Sequence, residues 1–348
     1  MAKLGYNIEN GAIPYSHSLS ELLWTCPRKF QLKVLNGRGR HENSITLTYG
    51  HAVAAGIQAA LDGASPEKQL LEMMLNWSVP LWDMDKKGRS FSSAMLALET
   101  FNRIKPLILK GWEAAWFIDQ HGNKRSGIEF DFLIQFPGNT SYQGHIDVIL
   151  WHPEKRQFKI LELKTTGSYH EETYRNKGQT LGYSLIIDHI VDSMQSMIQL
   201  SEEELATVHA SSQVLYLVWD CGRCEFEQLP LTHTRLAKAE FIQAVTCDLS
   251  QIKMYQEINF FPKRGESCFN FFRACEFYGT CDLQSMRTPI DEAHSHATFT
   301  VQDTSEIAIV IPVEDIMQRQ MENTQREIEE GTLVMADSEI STIHIEGE

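Results

Sequence analysis

The chain has 348 residues, 43% of them hydrophobic and 22% charged, with 31 basic against 46 acidic side chains and a net charge of -15. That is enough apolar material for one large globular domain, or one domain plus an extension. No apolar run approaches the roughly 20 residues that cross a bilayer, and the N-terminal MAKLGYNIENGAIPYS lacks a signal-peptide core. The seven cysteines are an odd number, so a membrane span and a disulfide framework are both excluded, and a cytoplasmic location with no membrane partner is expected.

The acidity is unevenly spread. Residues 285–348 hold 14 acidic and 3 basic side chains, a net of -11, which leaves -4 for residues 1–284. A weakly acidic body can still hold a polyanion in a local basic groove, for which Arg28, Lys29, Lys33, Arg38, Arg40, Arg175, Lys177, Lys263, Arg264 and Arg273 are the candidates.

In chain order, Ser18 or Ser20 caps a helix that carries Leu22, Leu23 and Phe30, with Cys26 on it beside Pro27. Alone, Cys26 reads as a small buried hydrophobe. A second helix begins at Tyr49-Gly50-His51 and runs to about Leu61. Residues 62–125 read as helices separated by the turn DMDKKGRS. Trp77, Trp82, Trp112 and Trp116 recur there among Leu, Met and Ala at the spacing of core residues. Gly127 to Phe136 alternates as a strand, on which Glu129 is either an exposed residue or an extra acid near a site.

The central stretch is HIDVILWHPEKRQFKILELK, His145 to Lys164. Two apolar runs flank a polar segment, the pattern of two strands joined by a reversal. A reversal centred between Glu154 and Lys155 sets Asp147 opposite Glu162. Like charges facing each other across a sheet are destabilising, so something positive belongs between them. Alternation puts Glu162 and Lys164 on the face that also carries Phe158 and Ile160. Charged groups on an apolar face require a partner or a metal. Two carboxylates with an adjacent lysine suit a hard-cation site; the same Glu-x-Lys on an exposed strand would be only a solvated ladder. A helix over 168–187 follows, with Gln179 and Tyr183 four apart on one side.

The strings G-H-I-D ending at Asp147, E-L-K at Glu162 to Lys164, and Q-T-L-G-Y from Gln179 to Tyr183 together resemble the RecB-type branch of the PD-(D/E)XK nuclease superfamily. The resemblance covers residues 16–284. It implies an α/β fold with a mixed central sheet and flanking helices. It further implies a Mg²⁺- or Mn²⁺-dependent deoxyribonuclease, an exonuclease acting on DNA with a free end in recombination or end processing. Asp147 and Glu162, with the Leu163 carbonyl, are expected to hold the ion. Lys164 is expected to position and help deprotonate the attacking water, with Gln179 and Tyr183 orienting the DNA or the lysine. The branch carries a metal-ligating histidine four residues after a helix glycine, where this chain has Ala54 after Gly50. His51 is the histidine nearest that place and is expected to reach the metal from its shifted position, while Ala54 in the histidine's place leaves a non-catalytic DNA-end-binding or assembly protein as the alternative.

Beyond that helix, Val214 to Trp219 reads as a buried strand, ending at Cys221-Gly-Arg-Cys224, an incidental reduced pair without a second C-x-x-C to complete a zinc knuckle. A helix over 234–254 carries Cys247 as a core residue. Cys268, Cys275 and Cys281 follow among aromatics, and with Cys26 they make four thiolates, the number that holds an iron-sulfur cluster. The arrangement resembles the iron-sulfur subset of RecB-type nucleases, the group of AddB and the CRISPR-associated adaptation exonucleases. It implies a 4Fe-4S clip joining both ends of a nuclease domain at 1–284, with structural zinc as the alternative. Residues 285–348 are read as an acidic interaction tail, partly disordered, for a partner protein. An amphipathic helix is expected near 314–330.

Overall fold

The computed structural model describes residues 13–36, 44–118, 124–138, 140–175, 177–198, 201–204, 212–270, 273–279, 281 and 309–329. Strand β1 (Ile13–Tyr15) leads into α1 (His17–Thr25), the one-turn α2 (Pro27–Phe30) and a π-helical turn at Gln31–Leu35. Helices α3 (Ile45–Leu61), α4 (Pro66–Leu75) and α5 (Phe91–Ile108) precede the short β2 (Glu113–Ala114), β3 (Trp116–Ile118) and β4 (Lys124–Ser126). Then come β5 (Ile128–Phe136), β6 (Thr140–His152) and β7 (Gln157–Thr166), followed by α6 (Glu172–Arg175) and α7 (Gln179–Ile198). The chain continues through β8 (Ser212–Asp220), β9 (Glu225–His233), α8 (Arg235–Glu257), β10 (Phe269–Asn270), β11 (Arg273–Ala274), β12 (Ile309–Pro312) and α9 (Val313–Glu329).

The main sheet runs β12-β5-β6-β7-β8-β9, with β1 and β2 also pairing β6. The β5-β6-β7 meander is antiparallel, whereas β7 and β8 are parallel and joined across α7. This is the expected α/β fold with a mixed central sheet. The β6–β7 register pairs Val148 with Leu161 and His152 with Gln157, as a reversal between Glu154 and Lys155 requires. Arg156 adopts a φ of 52° in that turn, and its N–H donates to the His152 carbonyl at 2.8 Å.

Alternation along β6 and β7 divides the core into two layers. Ile149, Phe158 and Ile160 pack with Leu185, Ile186 and Ile190 of α7 and with Ile242 and Val245 of α8. Val148, Leu150, Leu161 and Leu163 point the other way, against Ala52, Val53 and Ile57 of α3 and Leu98 and Phe101 of α5. Both layers cover the middle of β7, so Glu162, 1% exposed, must find its partner inside the protein.

Several boundaries differ from the sequence expectation, each for a local reason. Ser16, not Ser18 or Ser20, caps α1, accepting from the Leu19 N–H at 3.4 Å. Cys26 is the extended link between α1 and α2, because Pro27 disfavours the helical conformation in the residue before it. α3 starts at Ile45, capped by Ser44, so Gly50 and His51 lie inside the helix. α7 starts only at Gln179. The segment before it follows no apolar period and is drawn toward β8, where Asp220 accepts from the Tyr169 N–H at 2.9 Å. The acidic C-terminal segment also departs from an appended tail. β12 adds a parallel edge strand beside β5, and Gln320 of α9 donates to Asp188 at 3.3 Å, beside the fully buried Lys238–Asp188 ion pair at 2.8 Å. Residues 285–308 and 330–348 lie outside the described residues.

Candidate active site

The β6–β7 ladder stops at Val148 and Leu161, and one step further the same register carries Asp147 and Glu162. Continuing the alternation of Ile160, Glu162 belongs to the α7 side of the sheet. The alternation of β6 breaks at Asp147, with Ile146 packed on the α7 side and Val148 on the α3 side, and Asp147 lines a cleft bordered by α3. Asp147 Oδ2 accepts from the Leu163 N–H at 2.7 Å. Glu162 is 1% exposed. Its Oε1 lies 2.5 Å from Lys164 Nζ and accepts from Gln179 Nε2 at 3.0 Å, while its Oε2 is buried with no hydrogen-bond partner. Gln179 Nε2 also reaches the Tyr183 hydroxyl at 2.5 Å, and that hydroxyl donates to the His145 carbonyl at 2.6 Å. Tyr183 is 3% exposed, so it and Gln179 brace the acid strand instead of facing solvent.

The electrostatics follow from this crowding. Burial, and next the charge of Asp147, push the Glu162 carboxyl up to about 7. Burial raises Asp147 as well, against the pull of Lys164. Burial alone would lower the Lys164 ammonium, but Glu162 and Asp147 reverse that and hold it above the ordinary lysine range. One ammonium thus serves two carboxylates, Glu162 buried and Asp147 half-buried. An orphaned carboxylate oxygen beside a second acid fits a divalent cation and is costly without one.

A second set of side chains adjoins Asp147. The β5–β6 register pairs Asp131 with His145 and Phe130 with Ile146, which brings Glu129 alongside Asp147. Donor atoms of Glu129, His145 and Asp147 all lie within 4.8 Å of one another. His145 Nδ1 is 2.7 Å from Asp131 Oδ1, and Nε2 is 2.5 Å from Glu129 Oε2. Burial would lower this imidazole, but Asp131 and Glu129 raise it to about 10. Gln58 of α3 donates to Glu129 Oε1. These groups line an open cleft of about 760 Å³ together with His51, Ala54 and Ala55 of α3 and with Lys68, Glu72 and Asn76 of α4.

His51 therefore borders the cleft but stands outside the three-residue constellation. It is exposed on α3, seven residues before Gln58, the α3 residue that contacts Glu129. Glu129 was legible as an extra acid, whereas His145, Asp131 and Gln58 were not read as site residues. The turn sequence Phe136-Pro-Gly-Asn-Thr140 marks the β5–β6 reversal, and its register would have put Asp131 opposite His145.

Among the basic groove residues, Lys29 and Lys33 pair with Glu276 at 3.7 and 3.0 Å, Arg175 pairs with Glu171, and Lys177 Nζ lies 4.0 Å from Glu21. Arg38 and Arg40 lie outside the described residues. The Glu276 pairs and a 3.1 Å bond from the Arg28 N–H to the Pro262 carbonyl dock the cysteine-rich segment onto α2. There Cys26 is buried and Cys268, Cys275 and Cys281 are half-buried. Cys221 is buried near Tyr49, whose hydroxyl accepts from Trp219 Nε1 at 2.8 Å, while Cys224 and Cys247 are exposed. Of the tryptophans, Trp77 is in the core and Trp82 is 85% exposed. Among the described residues no helix is long and apolar enough to cross a membrane.

A family model described as the PD-(D/E)XK nuclease superfamily matches residues 14–282. Among solved structures, the chain is similar to a "putative exonuclease" from Eubacterium rectale, at 13% identity and a TM-score of 0.43, over 82% of this chain and 92% of that one. The search of curated proteins found no significant match.

Proposed function

The chain belongs to the PD-(D/E)XK nuclease superfamily, and from that premise we propose that it is a Mg²⁺- or Mn²⁺-dependent deoxyribonuclease of the RecB-type branch, an exonuclease that trims DNA from a free end during recombination or end processing. The observation that carries the reading is the buried Glu162 beside the half-buried Asp147, with Lys164 2.5 Å from Glu162 and one Glu162 oxygen left without a partner. Asp147 and Glu162 would hold the ion, which when bound supplies charge neutralisation at the scissile phosphate.

The remaining steps belong to the chain's own groups. Lys164, held as an ammonium by its two acid neighbours, is a donor: it orients the attacking water and offsets charge on the phosphorane-like transition state. With an ion offsetting the charge of those two acids, Lys164 would also help deprotonate that water. Gln179 fixes the Glu162 rotamer, and Tyr183 ties α7 to the backbone of β6 beside Asp147. Both are positioning residues.

The four thiols Cys26, Cys268, Cys275 and Cys281 would hold a 4Fe-4S cluster that clips the two ends of the nuclease domain together, zinc being the alternative occupant. The contacts of Pro262 with Arg28 and of Glu276 with Lys33 support that role. The acidic C-terminal segment would offer its outlying residues to a partner protein.

Incubation of the purified protein with end-labelled linear DNA and with closed circular DNA, in Mn²⁺ with and without EDTA, tests the reading. Progressive shortening of the linear substrate alone, abolished by EDTA, is expected. Binding of DNA ends without any cleavage in either metal would assign the chain to the non-catalytic alternative.

A further inference from the structure

The cleavage chemistry above uses Asp147 and Glu162 but not the donors on the other side of Asp147. We propose that Glu129, His145 and Asp147 bind a divalent ion of the Mn²⁺ class, with His145 supplying from strand β6 the imidazole that α3 lacks at Ala54. The proposal rests on the nuclease reading only in that the two sites share Asp147.

Three features distinguish this constellation from a chance meeting of surface charges. The first is the orientation of the imidazole. Asp131 faces Nδ1 at 2.7 Å, which fixes the tautomer and turns Nε2 toward Glu129 and Asp147, the arrangement by which a carboxylate commonly holds a metal-ligating histidine. That Nε2 is sealed from solvent and, although 2.5 Å from Glu129 Oε2, has no hydrogen bond of acceptable geometry. Two donor atoms are pressed together where an ion would separate them.

The second feature is the backbone of Glu129, whose φ of 55° lies in the left-handed region. That conformation costs a non-glycine residue on the order of 1–3 kcal/mol and persists only where its surroundings enforce it. Here it brings the carboxylate to the cleft. The third is Gln58, 8% exposed, which reaches from α3 to the other oxygen of the same carboxylate. Each outer ligand is therefore braced by a second side chain from a different element.

The donor set also selects the ion. An imidazole with two carboxylates favours Mn²⁺, Fe²⁺ or Zn²⁺, whereas Mg²⁺ prefers oxygen ligands and retained water. The rival account is that His145 is only an imidazolium clamped between acids. The two differ in what Mn²⁺ touches.

Electron spin echo envelope modulation of the Mn²⁺-loaded full chain reads this directly, because a bound imidazole imposes ¹⁴N modulation whether or not DNA is cut. Wild type and His51→Ala are expected to show it and His145→Gln to lack it. Glu129→Gln leaves the imidazole in place and guards against misfolding of the histidine variant. It is expected to weaken Mn²⁺ binding at least tenfold, read from the free-ion signal. Modulation that survives His145→Gln, is absent from Mn²⁺-bound wild type or disappears in His51→Ala would overturn the assignment, as would unchanged Mn²⁺ affinity in Glu129→Gln. Intact ¹⁴N modulation without DNA cleavage would uphold the site and count against the nuclease reading alone.

Discussion

Replacing Glu162 with glutamine should stabilise the metal-free protein while removing its function. Glu162 is 1% exposed, and its carboxyl titrates at about 7 against an ordinary 4.5. The folded state therefore binds this proton more tightly than the unfolded state. The associated stability is fully present below 4.5 and is lost as the pH rises through 7. At pH 8 the folded protein carries an ionised Glu162 at a cost of about 3 kcal/mol. The amide of Glu162→Gln has the same shape, can still accept from Lys164, and carries no charge. In EDTA at pH 8 the variant should melt higher than wild type by roughly 5 °C, and the gap should close at pH 4.5. Saturating Mn²⁺ should narrow or reverse the gap, because the wild type offers the ion a carboxylate that the variant lacks. Thermal melts at the two pH values, with EDTA and with Mn²⁺, make the comparison. A variant that melts at or below wild type in EDTA at pH 8 would refute the idea that the acid pair is strained without a cation.

Lys164→Ala should abolish cleavage of end-labelled DNA while leaving DNA binding within a few-fold of wild type, measured by gel shift in Ca²⁺; wild-type cleavage by that variant would discard its role. Cys26→Ser should bleach the visible absorbance of anaerobically purified protein, and an unchanged spectrum would remove Cys26 from the cluster. His233, whose Nε2 lies 2.8 Å from Thr180, is held at about 4 by burial and then by Lys238. Its folded value lies below the unfolded 6.5, so its contribution is present above 6.5 and lost as the pH falls toward 4, about 3 kcal/mol in all. His233→Gln should accordingly lose less stability than wild type between pH 7 and pH 4.5 in denaturant titrations. Lys238→Met leaves Asp188 buried without its ammonium and should cost about 3–5 kcal/mol, read in the same titrations; Lys238→Met together with Asp188→Leu should recover most of it.

The part of the site confined to one hairpin was legible because a two-residue period and a tight reversal fix which residues meet. Counting outward from Glu154 and Lys155 gives the register as far as Val148 and Leu161, and Asp147 then meets β7 where the Leu163 N–H donates to it. The Glu129–His145 half was harder. It depends on a second register, on a left-handed residue at Glu129 that ordinary strand geometry does not anticipate, and on Gln58 arriving from a helix 71 residues earlier in the chain. Helix starts failed where the signal was tertiary: α7 begins only after Asp220 of β8 has captured the Tyr169 N–H. The docking of β12 and α9 was hidden by composition, since acidic residues dominate that segment while Ile311, Val313 and Ile316 face the core.

An anomalous difference map from crystals soaked in Mn²⁺ would examine the founding assumption with least inference. A peak is expected in contact with carboxylate oxygens of both Asp147 and Glu162, reduced to background by Glu162→Gln. Mn²⁺ bound elsewhere, with those two carboxylates untouched in crystals of an active protein, would contradict it.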